Sequence, residues 1–361
     1  MTYTAQVKAE AARIRAVFEA AGAVPVETAI LQPAEVLLDL YGEDIRARTY
    51  TTEDALRGEQ MLRPDFTVPV VQKHMESGAE PARYTYAGEV FRRQEDDPDR
   101  ANEYMQVGYE VFDGAMPARA DAEVFSLIYT LLAPLNLRAS IGDIGILMAA
   151  VDGLKTTDRR KAALRRHIWR PQRFQALMER YAGRTPWPES RKALIAAEDP
   201  LAGAGPMIGL RSEKEIRARI AVLREDASAE PISAHECDLI EELLKVRETA
   251  ENALEHLRDI AVDLPQIADA VERLGDRLDA LEKRGITAGQ LDFEASYGRT
   301  QMEYYDGFVF GFYVDKRPDL PPVATGGRYD ALTARLGNGA VLPAVGGVIR
   351  PGLVVDLGGL S

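Results

Sequence analysis

Apolar side chains return at helical spacing from the start of the chain. Ala12, Ile14, Val17 and Phe18 share roughly one face of a helix expected over about 5–21, and Gly22 supplies a stop signal. A second element surrounds EVLLDLYG, from Glu35 to Gly42. RARTYTTED, from Arg46 to Asp54, alternates like a strand. In MLRPDFTVPVVQKHM, a short strand and a turn at Pro64-Asp65 lead into a helix starting near Thr67 or Val68. Thr67 suits its N-cap and Pro69 its first turn.

Two clearer strands follow, Ala82–Arg93 and Glu103–Phe112, around the polar link QEDDPDRAN. They predict an antiparallel hairpin with a long loop. A helix over about 118–134 and a short strand at LRASIG come next. From about 150 to 285 the pattern is helical, with stripes such as Leu239, Ile240, Leu243, Leu244 and Val246, and Leu274, Leu278 and Leu281. Strand character returns after Ile286 in QLDFEAS, DGFVFGFYVD, PPVATGG and LPAVGGVI. The fold class is therefore α+β: one antiparallel sheet built from both ends of the chain, flanked by helices, with a mostly helical insertion.

Composition narrows the function. The 361 residues carry 44 basic and 57 acidic side chains, a net charge of −13, which argues against a nucleic-acid binder. A single cysteine, Cys237, excludes a disulfide within the chain and a cysteine-based zinc site. His74, His167, His235 and His256 are scattered without ligand-like spacing, so no metal is expected. The N-terminal stretch has no signal-peptide core, and Pro134 interrupts the longest uncharged apolar run, Val124–Leu137. A cytoplasmic protein without membrane attachment is expected.

Candidate chemistry starts in MQVGYEVF. Gln106, Gly108 and Glu110 point to one face of the strand, Val107, Tyr109 and Val111 to the other. The glycine leaves a shallow floor rimmed by an amide and a carboxylate, and Glu110 is available to a ligand ammonium. The same alternation also fits a half-exposed strand whose polar face meets water. Arg92 lies in register with Tyr84, Tyr86, Gly88 and Val90 and could fork onto a carboxylate of ligand or protein. Tyr304 and Tyr305 precede an aromatic strand, where they either enclose a small ligand or join the core. The glycines of GGRYD, Gly326–Asp330, serve a tight turn or a close backbone approach. GAGPMIG is no dinucleotide fingerprint, since it follows EDPLA and not a strand; no Walker lysine loop and no Gly-x-Ser-x-Gly elbow occur.

Taken together, LRPDFT, FRRQE, QVGYEVF, EYYDGFVF, ATGGRYD and AVGG resemble, in order, the catalytic domain of histidyl-tRNA synthetase, a class II synthetase. The resemblance covers most of 1–140 and about 286–355. It implies a synthetase-like domain in two parts, 1–149 and 286–361, around a helical insertion at 150–285. It also implies a histidine pocket. Asp65 and Thr67 match the segment that grips the histidine ammonium, where the family usually has Glu in place of Asp65. Arg92 matches the motif 2 arginine that binds α-phosphate and carboxylate. Gln106 and Glu110 match the amino-acid-binding pair of QxGxE. Tyr305 and Tyr329 match tyrosines on the imidazole side, and Tyr304 is counted with them as histidine-binding.

Two departures concern catalysis. Thr300 stands where the synthetase pattern Arg-Gly-Leu-Asp-Tyr-Tyr has its catalytic arginine; Arg299 is one residue away, and strand alternation puts it on the wrong face. Leu353 replaces the motif 3 arginine that clamps ATP. Each lost cation is worth roughly 10²-fold or more to such chemistry. The motif 2 loop is acidic (Glu95, Asp96, Asp97 and Asp99 against Arg93 and Arg100), and the chain stops just after motif 3, so no anticodon-binding domain is expected.

This combination resembles the family of ATP phosphoribosyltransferase regulatory subunits, synthetase paralogues of bacterial histidine biosynthesis. The resemblance implies a non-catalytic subunit without cofactor, with L-histidine as allosteric effector. Its implied partner is a short-form catalytic phosphoribosyltransferase, around a homodimer core in a hetero-oligomer. Two rival readings stay open: a diverged histidyl-tRNA synthetase with residual activity, and a scaffold that no longer binds histidine.

Overall fold

The structure, a computed structural model, describes residues 2–41, 45–94, 100–206, 208–299 and 304–359. The chain runs through α1 (Tyr3–Ala20), β1 (Val24–Pro25), β2 (Leu31–Pro33), α2 (Ala34–Tyr41), α3 (Ile45–Arg48), β3 (Thr51–Asp54), β4 (Gly58–Leu62) and α4 (Thr67–Ser77). The hairpin β5 (Ala82–Phe91) and β6 (Glu103–Phe112) follows, then α5 (Pro117–Leu132) and β7 (Arg138–Asp143). Helices α6 (Ile144–Gly153), α7 (Asp158–Arg166), α8 (Pro171–Tyr181), α9 (Glu189–Ala196), α10 (Glu213–Ser228) and α11 (Ala234–Lys245) lead to β8 (Arg247–Thr249), α12 (Ala250–Asp263) and α13 (Ala268–Glu282). The chain then forms β9 (Asp292–Glu294), β10 (Phe308–Tyr313), β11 (Ala324–Arg328), α14 (Asp330–Leu336), β12 (Ala344–Ile349) and α15 (Pro351–Asp356).

Among the described residues, nine strands form the main sheet in the order β1-β5-β6-β12-β11-β10-β7-β9-β8, while β2, β4 and β3 form a small second sheet. The α+β reading stands, with strands from both ends of the chain in one sheet. The sheet is mixed, not purely antiparallel: β1 pairs with β5, and β7 with β9, in parallel. Parallel neighbours need a long crossover. The helical run from α6 to α13 is the crossover between β7 and β9. The strand expected over 46–54 is also shorter, because Ile45–Arg48 is a helical turn closed by the Thr49 hydroxyl on the Ile45 carbonyl (2.9 Å). Thr67 does not cap α4 with its side chain; Asp65 accepts the Val68 N–H instead (3.3 Å).

Alternation gives the main sheet two unlike faces. On one, Val107, Tyr109 and Val111 are buried, with Phe18 of α1 against Tyr109 (ring centroids 5.2 Å apart). On the same face Phe308, Phe310 and Phe312 surround Phe125 of α5. The leucine stripe of α13 is buried: Leu274, Leu278 and Leu281 are all inside. Arg277 interrupts that stripe and is buried too. Its Nε donates to Asp121 of α5 (2.8 Å) and its Nη1 to Asp143 of β7 (2.9 Å). Asp121 also accepts from Arg328 of β11 (2.7 Å). This network fastens the end of the crossover to the underside of the sheet.

Arg277→Ala leaves Asp121 and Asp143 short of a buried cation. The expected loss is about 3–5 kcal/mol, the range for breaking a buried pair from one side, read as a lowered urea midpoint of the whole chain. Arg258→Ala, which removes a guanidinium paired at the surface with Glu255 and Glu272, should leave the midpoint where it is.

Candidate functional site

The opposite face of the sheet is built around glycines. Glu110 faces Gly346 across the β6–β12 ladder, and a Cβ at Gly346 would land on the Glu110 carboxylate. Gly108 faces Tyr86 in the hairpin, and the Tyr86 ring lies over it. The sequence-predicted open floor at Gly108 is thus filled by an aromatic ring. Gly327 lies under Tyr305, whose ring atom would sit 2.7 Å from a Cβ there. The glycines of GGRYD are therefore neither a turn nor an open backbone surface; they lie within β11 and make room for a neighbouring side chain.

Glu110 is almost wholly buried, at 1% exposure, and does not meet water. Three hydroxyls donate to it: Thr67 (3.0 Å), Tyr86 (2.8 Å) and Tyr329 (2.6 Å). Burial pushes its carboxyl up to about 7, against the pull of those hydroxyls toward the charged form. Phe66 stacks on Tyr86 with centroids 4.3 Å apart, which completes a rigid base.

Above this base is a cavity of about 460 Å³. Asp65, Thr67, Arg92, Gln106, Tyr304 and Tyr305 all line it. Six of the eight predicted residues therefore share one cavity. Glu110 and Tyr329 lie beneath it, bonded to each other. Asp65 is the carboxylate on the wall. It is buried, accepts from the Tyr41 hydroxyl (3.3 Å), and is raised in pKa by burial while Arg92 opposes the rise. Arg92 donates Nε–H to the Pro64 carbonyl (2.7 Å), which holds its guanidinium on the wall. Gln106 is 1% exposed, and its amide oxygen has no hydrogen-bond partner among the described residues. Tyr304 packs edge-on against Tyr305 (4.9 Å) and Tyr329 (6.1 Å).

Several lining residues escape a reading of the sequence. Tyr41 ends α2 and reaches Asp65, and no local signal points there. Arg48, Arg100 and Arg350 line the cavity beside the predicted Arg92, so four guanidinium groups converge on it. Arg350 reaches in from the end of β12, fixed by the Pro322 carbonyl (2.7 Å) and stacked over Tyr104. Leu353 lines the adjoining outer hollow and not this cavity. Arg299 donates Nε–H to the Ile168 carbonyl (2.9 Å) and lies over Phe174, on the helical side. Thr300 and the acidic residues Glu95, Asp96, Asp97 and Asp99 lie outside the described residues. Among the described residues, no helix is long and apolar enough to cross a membrane.

Comparison with known proteins gives the family and the fold. A family model described as histidyl-tRNA synthetase matches residues 3–203 and 207–351. A solved structure titled an ATP phosphoribosyltransferase regulatory subunit/histidyl-tRNA synthetase from Bacillus halodurans superposes with a TM-score of 0.67 at 21% identity, covering 98% of this chain and 79% of the other. Histidyl-tRNA synthetase from Nostoc superposes at 0.62 with 19% identity, covering 95% and 69%. These likenesses put the fold among the class II synthetase-like proteins. An ATP phosphoribosyltransferase regulatory subunit from Brucella anthropi is 30% identical over 354 residues, spanning 92% of this chain and 93% of its own. That of Brucella canis is 31% identical over 342 residues, 89% of each. The chain belongs to the histidyl-tRNA synthetase family, within the group formed by the ATP phosphoribosyltransferase regulatory subunits.

Two outcomes follow for the base of the cavity. A carboxyl raised in the fold above its unfolded value near 4.5 binds more protons folded than unfolded. Its stabilising share is full below that value and is lost as pH climbs to about 7. The stability of the wild type relative to Glu110→Gln should therefore fall over that interval in paired urea titrations; a flat difference contradicts the assignment. Asp306, also pushed up to about 7 by burial, with Asp330 adding to the rise, is common to both proteins and cancels. Gly346→Ala should displace Glu110 and abolish ligand binding at the cavity, measured by calorimetry.

Proposed function

We propose that this chain is a non-catalytic, cytoplasmic regulatory subunit of ATP phosphoribosyltransferase, and that its cavity binds L-histidine as the feedback effector. The Brucella relatives bear that subunit's name. The observation that carries the ligand is the cavity wall: Asp65 for an ammonium, Arg92 for a carboxylate, the unpartnered Gln106 amide, and Tyr304 and Tyr305 for an aromatic ring. That is the complement of a zwitterionic amino acid with a flat, polar side chain. Glu110 supports Thr67, Tyr86 and Tyr329 from below, and Asp65 takes the ammonium. Inhibition follows if histidine binds the inhibited assembly more tightly than the active one, a coupling of about 1–3 kcal/mol.

One observation favours a second reading, a diverged synthetase that still adenylates. Arg92, Arg100 and Arg350 line the cavity together. Against it, Leu353 replaces the motif 3 arginine and Arg299 is turned to Phe174. Histidine- and ATP-dependent pyrophosphate exchange by the purified chain decides between the two, with none expected.

Calorimetry should show one histidine site per chain. Asp65→Asn should weaken it roughly 10- to 100-fold, the worth of a charge-assisted hydrogen bond in a buried site. Mixed with a short-form catalytic phosphoribosyltransferase, the wild-type chain should raise its activity and make it histidine-sensitive. Asp65→Asn should preserve the activation and shift inhibition to higher histidine. Inhibition unchanged by the substitution would place the effector elsewhere.

A further inference from the structure

Residues 158–184 carry nine basic side chains against two acidic ones, in a chain that is acidic overall. The structure accounts for only some of these cations. Arg160 is buried and fully engaged by Asp226 and the Glu230 carbonyl. Lys161 and Arg165 hold Asp152, and Arg184 joins Glu179 to α11. Arg159, Arg166 and Arg173 are exposed, and none is in an ion pair among the described residues. Arg159, Ala162, Ala163 and Arg166 recur at the spacing of one helix face and, with Asp158 at its start, line an open groove along α7. Between the two arginines Ala162 is exposed and Ala163 only partly buried against the core, which leaves room for another backbone to come close.

We propose that this face of α7, with Arg173 at the start of α8, docks an acidic surface of the catalytic phosphoribosyltransferase subunit. The inference rests on the function proposed above. Oppositely charged surfaces steer association and fix register, and the alanine pair supplies the apolar contact between them. A nucleic acid fits less well. The whole-chain field repels a polyanion, no aromatic side chain lines the groove, and phosphates make no use of an alanine pair. A second copy could offer acidic side chains too, because 234–282 carries 14 acids against five bases. That contact would join unlike patches, however, and would propagate into an open chain unless its rotation closed.

The test uses the full-length chain with all three arginines reversed (Arg159→Glu, Arg166→Glu, Arg173→Glu), and a separate Ala162→Glu variant. Assembly with the catalytic subunit is followed by sedimentation velocity at low and high salt, and histidine binding to the isolated chains by calorimetry. The wild-type complex should weaken as salt rises. Each variant should bind histidine as the wild type does, and the triple variant should assemble roughly 10- to 100-fold more weakly. Equal assembly of wild type and both variants overturns the docking face and leaves the proposed function intact. Failure of the wild type itself to assemble overturns the proposed function, and the docking face with it. A variant that changes only the self-association of the chain, or only its binding to a labelled single-stranded or duplex oligonucleotide, overturns the proposal in favour of a second copy or a nucleic acid.

Discussion

The structure depends on one buried carboxylate, Asp121, shared by two arginines from distant parts of the chain. Arg277 comes from the last helix of the long crossover and Arg328 from a central strand, and Asp121 is 1% exposed between them. Desolvating three charges is expensive, and only complete hydrogen bonding compensates it. Here it is nearly complete: Arg277 also reaches Asp143, and Arg328 also reaches Asp330 and the Pro117 carbonyl. An arrangement with so few alternatives sets the position of α13 against the sheet. The next residue after Arg328 is Tyr329, which passes to the other face and donates to Glu110. Two consecutive residues thus tie the packed underside of the sheet to the base of the cavity.

The same economy governs the cavity. Large side chains can lie flat on a sheet only where the strands beneath carry no Cβ. Gly108, Gly327 and Gly346 provide this for Tyr86, Tyr305 and Glu110 in turn. Glu110 therefore has its oxygens committed to hydroxyls of the protein before any ligand arrives. Those bonds hold the Thr67 hydroxyl and the Tyr86 and Tyr329 rings in place. Asp65, held at the start of α4 and facing Arg92, is the carboxylate on the cavity wall. Two carboxyls in one site, one structural and one facing the cavity, differ because one lies under the rings and the other beside them.

This division of labour was only partly legible in the sequence. The alternation in MQVGYEVF placed Gln106 and Glu110 on one face correctly, because both flanking strands are long and half their side chains enter an apolar core. The leucine stripe of α13 was equally plain. Arg277 sits on that stripe three residues after Leu274, and a charge at an apolar position is the signal that a buried partner exists. No comparable signal marks Tyr41 or Arg350, whose places depend on how separate elements meet. The glycines were read as turn or floor because a sequence does not show which side chain will lie over them. The parallel pairs at the sheet's edges were invisible for a related reason: two- and three-residue strands carry no period, and their direction is set by the crossovers that deliver them.

The crossover also packs against the stretch of chain that follows β9. Arg299 follows β9 and inserts toward the helices, with its Nε–H on the Ile168 carbonyl and its guanidinium over Phe174 of α8. Its Nη2 finds no partner among the described residues, and burial lowers its pKa to about 10. A buried cation so incompletely compensated depends on the packing around it. Five residues further along the chain is Tyr304, on the cavity wall. Arg299 thus serves the packing of the helical crossover, with its guanidinium outside the lining of the cavity.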